Sequence, residues 1–214
     1  MKKLILFDFD GTIAHLFKNY DLSLGAKRIN EILIPYGYKL NLKNPFEAYF
    51  VLEKDKEALR LADEIVEEAE NEAVKSLEKV AYFDEYFLKF KEEYEIAIVT
   101  NNSKSSVERF FHKEFGDYCP FIVGRDGLHP KTLKPSPNGL ILALNHFNIE
   151  VKDSLFVGDG IADLTSAKSI GMDFIAMGSM PHKYKRFVGD SYPLAIVHDF
   201  KEFYLEVKKL CAIS

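Results

Sequence analysis

Apolar residues follow two different rules along this chain. Residues 4–7 form a continuous apolar run of strand length, which predicts a central strand covered on both faces, and the run stops at Asp8 and Asp10. From Thr12 to about residue 92 the spacing turns helical, with no strand predicted in that stretch. Ser23 is placed to cap a helix through Ala26, Ile29, Ile32 and Leu33 that breaks at Pro35 and Gly37, and a second helical piece starts near Pro45. Between residues 54 and 80, Leu59, Ala62, Ile65, Val66, Ala69, Ala73, Val74, Leu77 and Val80 recur at the three- and four-residue steps of one amphipathic helix. Its acidic positions Glu67, Glu68, Glu70 and Glu72 read as a solvated face.

From Glu95 onward strand and helix alternate, which predicts a parallel sheet with crossover helices. Strands are expected at 96–99, 121–123, 155–157, 174–177 and 194–197. Ser103 caps a helix running to Gly116, and Pro137 opens one through Leu140, Ala143 and Leu144. A third helix, 161–170, stops at Gly171, and Asp199 opens the last. The expected fold class is therefore α/β, a Rossmann-like parallel sheet flanked by helices with an inserted all-helical cap. Residues 1–13 and 87–214 form the core and residues 14–86 the cap. Because the insert leaves the sheet directly after two acids, it stands over the strand ends, where it shapes a pocket and excludes water.

Composition narrows the class. A chain of 214 residues, 47% of them hydrophobic, suffices for one good-sized domain or a core with a smaller companion. The net charge of −5 provides no overall basic field, which argues against nucleic acid as a main partner. No apolar run reaches the roughly 18–20 residues that span a bilayer, and the start meets charge too soon for a signal peptide. The expectation is a cytoplasmic protein, a monomer or homodimer, with no membrane partner. The two cysteines, Cys119 and Cys211, form no metal-like pair and are expected as reduced thiols.

The candidate chemistry sits where the strands end. Two carboxylates one residue apart repel each other unless a cation, hydrogen bonds or a shared proton compensates, and a hard divalent metal is the simplest compensation. Thr100 supplies a hydroxyl, Asn101 and Asn102 amides, Lys134 a positive charge, and Asp159 and Asp163 further carboxylates. Acids for Mg²⁺, with a hydroxyl, an amide and a lysine for phosphate oxygens, make a phosphoryl-transfer set.

Asp8-Phe9-Asp10-Gly11-Thr12, Thr100-Asn101, Lys134-Pro135 and Gly158-Asp159-Gly160-Ile161-Ala162-Asp163 resemble, in order and in strand-end placement, the four motifs of the haloacid dehalogenase-like (HAD) hydrolase superfamily. Gly124-Arg125-Asp126 and Lys134-Pro135-Ser136-Pro137 are similar to its phosphoglycolate phosphatase-like branch. The resemblance implies a Mg²⁺-dependent phosphatase acting on a small phosphorylated metabolite, of phosphoglycolate or sugar-phosphate type. Asp8 would be the nucleophile and Asp10 the proton carrier. Mg²⁺ would lie among Asp8, the Asp10 carbonyl and Asp159, with Asp163 in direct or indirect contact, and Thr100, Asn101 and Lys134 would hold the phosphate. Dehalogenase and phosphonatase members resemble this scaffold without the second acid, so Asp10 disfavours both activities. A phosphomutase of the same superfamily, a phospho-receiver domain and a silent interaction protein are the alternatives.

Ala14-His15-Leu16-Phe17 departs from the Asp-Ser pair with which many capped members continue the first motif. His15 reads as structural rather than pocket-facing, and Lys18 and Arg28, the nearest cap-side cations, as solvated. His182, Lys183, Lys185 and Arg186 form a basic cluster read as a solvated loop. Phe17, Tyr20, Phe46, Tyr49 and Phe50 are aromatics that either line the pocket or pack the cap.

Overall fold

The computed structural model describes residues 2–178, 187 and 192–213. Six parallel strands, β1 (Leu4–Phe7), β4 (Glu95–Val99), β5 (Phe121–Val123), β6 (Ser154–Gly158), β7 (Asp173–Met177) and β8 (Ala195–Val197), form one sheet in the order β5-β4-β1-β6-β7-β8. β1 lies between β4 and β6, with Phe7 beside Ile98 on one side and Val157 on the other. The chain builds outward from β1 through β4 to β5, then crosses back to β6. That reversal opens a crevice at the carboxyl end of β1.

β1 is apolar throughout because both sides are covered. Side chains alternate across a strand, so Ile5 and Phe7 face one layer and Leu4 and Leu6 the other. The first layer is aromatic. Phe7 has ring centroids of Phe87, Phe90, Phe200 and Phe203 within 6.2 Å. These come from α4 (Phe83–Glu93) and α8 (Phe200–Ile213), and α5 (Lys104–Phe115) adds Phe110 and Phe111. The second layer is mostly aliphatic, with Leu140, Ala143 and Leu144 of α6 (Asn138–Phe147) and Leu164 and Ala167 of α7 (Ile161–Ser169).

The helical insert has a core of its own. Ala26, Ile29 and Leu33 from α1 (Leu22–Ile32) and its end pack on Leu59, Ala62, Ile65 and Val66 of α3 (Lys56–Ala73), with Ala48 and Tyr49 of α2 (Ala48–Val51) alongside. Asp21, not Ser23, caps α1: its carboxylate accepts from the Ser23 N–H at 2.9 Å. Both residue types cap well, and the one two positions earlier has the extended backbone an N-cap needs. α3 stops at Ala73, short of the expected Val80. Val74 still packs against the core, but in a 3-10 turn (Val74–Ser76).

Where only helix was expected, two short strands pair antiparallel: β2 (Ala14–His15) and β3 (Glu78–Lys79), with Ala14 opposite Lys79. Two-residue strands carry no readable alternation. The chain therefore leaves and rejoins the sheet side by side. Cys119 and Cys211 are free thiols, and no described helix is long and apolar enough to cross a membrane.

Candidate active site

Asp8 follows β1 directly, and its N–H donates to the Val157 carbonyl at 2.8 Å, which aligns the residue with the end of β6. The chain then turns sharply. The Phe9 carbonyl accepts from the N–H groups of Ile13 and Ala14, and the Gly11 N–H donates to the Ala14 carbonyl at 2.8 Å. Gly11 has φ +89°, and a Cβ there would stand 2.0 Å from Asp159 Oδ2. Only glycine permits both the left-handed backbone and the approach of Asp159. The Asp10 carboxylate is anchored by the Leu16 N–H, which donates to Oδ1 at 2.8 Å.

Asp8, Asp159 and Asp163 are all buried, each offering a carboxylate oxygen within 4.8 Å of the others. Asp159 follows β6 directly, and Asp163 sits in the first turn of α7, where its Oδ2 accepts from the Gly160 N–H at 3.0 Å. Lys134 reaches in from the loop before α6 and places Nζ 2.6 Å from both Asp8 Oδ1 and Asp163 Oδ1. One lysine is shared between two of the three clustered carboxylates. Burial pushes the Asp8 carboxyl up to about 7, Asp163 adds to the rise, and Lys134 only partly opposes it. For Lys134 burial works against the charge, but Asp163 and Asp8 outweigh it and hold the ammonium above its ordinary value.

The excess of buried acid is an observation about cations. Three crowded carboxylate oxygens with one shared lysine suit a hard divalent ion. The Asp10 side chain is not in this cluster.

Thr100 and Asn101 follow β4. The Thr100 hydroxyl donates to Asn102 Oδ1 at 2.8 Å and accepts from the Asn102 N–H. The Asn101 side chain clamps the backbone of Lys134, donating to its carbonyl at 3.1 Å and accepting from its N–H at 2.9 Å. A cavity of about 360 Å³ joins Asp8, Asp10, Thr100, Asn101, Lys134, Asp159 and Asp163, with Phe17, Leu22, Asn44 and Phe46 of the insert across from them. All the sequence-expected site residues thus line one cavity.

Other expectations separate. Phe17 and Phe46 form an edge-to-face pair in the cavity wall, whereas Phe50 is exposed on the surface. His15 is buried in β2, and Lys18 and Arg28 make exposed ion pairs with Glu78 and Glu68. The basic cluster at 182–186 lies outside the described residues.

The acidic face of α3 needs correction. Glu70 is fully buried and takes both outer nitrogens of Arg125, Nη1 at 2.8 Å and Nη2 at 3.0 Å. It lies four residues after Val66 and three before Ala73, on the apolar stripe, unlike Glu68 and Glu72. That spacing was the available signal. Asp63 joins the same group, accepting from Arg125 Nε at 2.8 Å and from the Tyr49 hydroxyl.

A parallel sheet with carboxylates and a lysine at its carboxyl edge, under a helical insert, defines the class: an α/β protein with acid-rich strand ends. The chain belongs to the haloacid dehalogenase-like hydrolase family, whose model matches residues 5–177. Among its relatives, the phosphoglycolate phosphatase of Pseudomonas fluorescens strain Pf-5 is 24% identical over 94% of this chain and 78% of its own length. A HAD-superfamily hydrolase, subfamily IA, variant 1, from Geobacter sulfurreducens has a similar fold, with a TM-score of 0.65 at 23% identity, covering 96% of this chain and 100% of that one. CbbY from Rhodobacter sphaeroides, solved in complex with phosphate, gives a TM-score of 0.63 at 20% identity, with 95% and 96% covered. The chain is a hydrolase of this family with phosphatase homologues.

Proposed function

We propose that this hydrolase is a Mg²⁺-dependent phosphatase of small phosphomonoesters, acting through an aspartyl phosphate. The observation that carries the reading is Lys134, held 2.6 Å from Asp8 within a cluster of buried acids at the end of the central strand. Asp8, Asp159 and Asp163, with the Asp10 carbonyl, would hold the cation, which when bound offsets the charge between carboxylate and phosphate.

The Asp8 carboxylate attacks phosphorus, forming an acyl-phosphate bond as the bond to the substrate's alcohol oxygen breaks. Asp10 enters this step as the acid and gives its proton to the departing oxygen. It then takes a proton from the water that attacks the acyl phosphate, which restores Asp8 and releases inorganic phosphate. Lys134, the Thr100 hydroxyl and the Asn101 backbone N–H hold the phosphate oxygens, and Phe17 and Phe46 cover the alcohol portion and exclude water. The cap lies within residues 14–86, its ends tied together by β2 and β3. Candidate substrates are phosphoglycolate and sugar phosphates, the first suggested by the names of the relatives.

The test is a panel of phosphomonoesters assayed with Mg²⁺ and with EDTA, using wild type and Asp8→Asn. Phosphate release that EDTA and the substitution both abolish supports the reading. Equal release by the variant removes Asp8 as nucleophile, and no release from any ester in the panel overturns the phosphatase assignment.

A further inference from the structure

The insert touches the sheet's loops through a second buried ionic group, separate from the acids of the cavity. Arg125 leaves the end of β5 with its side chain 2% exposed and its fork closed on fully buried Glu70 of α3. Both Glu70 oxygens and all three guanidinium nitrogens of Arg125 have a partner. Glu70 Oε1 also accepts from Asn102 Nδ2 and Oε2 from the Ser103 N–H, both at 3.0 Å. Arg125 Nε binds Asp63, Nη1 also donates to the Asn101 carbonyl at 3.0 Å, and the Arg125 N–H donates to the Asn102 carbonyl at 2.7 Å. The Tyr49 ring lies 5.2 Å from the guanidinium.

Neither Glu70 nor Arg125 lines the cavity that holds Asp8. Each instead grips the backbone of Asn101 to Ser103, and Asn101 grips the backbone of Lys134. An unbroken run of hydrogen bonds thus leads from the middle of α3 to the lysine that contacts Asp8. We propose that Arg125 and Glu70 are positioning residues, which fix Lys134 through the Asn101 side chain and so make its placement depend on the docking of the insert. The kinetic consequence rests on the phosphatase reading; the mechanical link does not.

A planar fork held at two oxygens and a backbone carbonyl is not reproduced by a lysine, even with the charge kept. Displacing a catalytic group by about 1 Å costs up to about a hundredfold in rate. Because the path runs through one side chain, cutting it twice adds little to cutting it once.

The experiment uses the full chain with Mg²⁺ and the best ester of the panel. Arg125→Lys lowers kcat about tenfold with KM moved less than about threefold, and Asn101→Ala does the same. The double variant is about as slow as the slower single. Losses that multiply toward about a hundredfold overturn the proposal. Hydrogen exchange read by mass spectrometry gives a second measure that needs no turnover. Arg125→Lys speeds exchange over residues 132–136 as well as 100–103, and acceleration confined to the neighbourhood of residue 125 overturns the link. Glu70→Gln keeps the shape and removes the charge, and it replaces Arg125→Lys if that variant does not fold, with the same outcomes expected. A wild type that hydrolyses no ester while the exchange pattern holds leaves the link standing and refutes the function.

Discussion

Among the described residues, the buried ionic groups around Arg125 and around Asp8 are built on opposite plans. Around Arg125 both oxygens of Glu70 are shared between the guanidinium and donors of the 102–103 backbone and side chain, so each charge meets its hydrogen bonds. Around Asp8 one ammonium is divided between carboxylates, and burial pushes the Asp8 carboxyl up to about 7. The first group is complete without any ligand. The second is stable only at a cost that a cation or a phosphate-bearing ligand relieves, which is the condition of a site built to bind and react.

The contrast can be broken most sharply at the two carboxylates themselves. Asp8→Asn lowers phosphatase turnover by at least about a thousandfold, as removal of a nucleophile does. In the metal-free protein the same change leaves thermal stability equal or higher, because it removes an uncompensated charge. Glu70→Ala does the reverse to stability: it strands a buried guanidinium and costs about 3–5 kcal/mol in denaturant unfolding. If Asp8→Asn destabilises as much as Glu70→Ala, the two groups are not of different kinds.

The raised carboxyl also sets a pH dependence. Between about pH 4 and pH 7 folded Asp8 holds a proton that the unfolded chain has released, so metal-free stability falls as pH rises through that window. At about 1.4 kcal/mol per pH unit the loss is at most ~4 kcal/mol. Unfolding curves with EDTA show the slope, and Mg²⁺ flattens it by favouring the ionised form. Gly11→Ala is a smaller perturbation of stability, about 1–2 kcal/mol from the left-handed backbone, together with displacement of Asp159 and weaker Mg²⁺ binding by calorimetry. The smallest effect is at the exposed Arg28–Glu68 pair, where Glu68→Ala changes stability by less than about 1 kcal/mol.

The strands of the sheet were legible because each is a short apolar run, and most of the site residues were legible because they follow those runs. Asp8, Thr100 and Asp159 each announce a strand terminus. The rest depends on partners far away in sequence. Glu70 stands among Glu67, Glu68 and Glu72 and reads as one of them until Arg125, 55 positions later, folds over it. Val74 and Val80 continue the apolar spacing of α3 after the helix has ended, because a 3-10 turn and a loop residue bury the same side. β2 and β3 exist only because Ala14 and Lys79 meet, and neither pair of residues favours a strand alone.

That meeting of Ala14 and Lys79 bears on how such a protein changes over time. Because the two ends of the insert are neighbours, the segment between them closes a loop whose length hardly matters to the sheet: doubling it costs only about 0.6 kcal/mol of chain entropy. A cover attached in this way is exchangeable. It can be lengthened or shortened without rerouting any strand of the sheet, and as long as Glu70 still meets Arg125 the reacting groups stay where they are while the molecules admitted to them change.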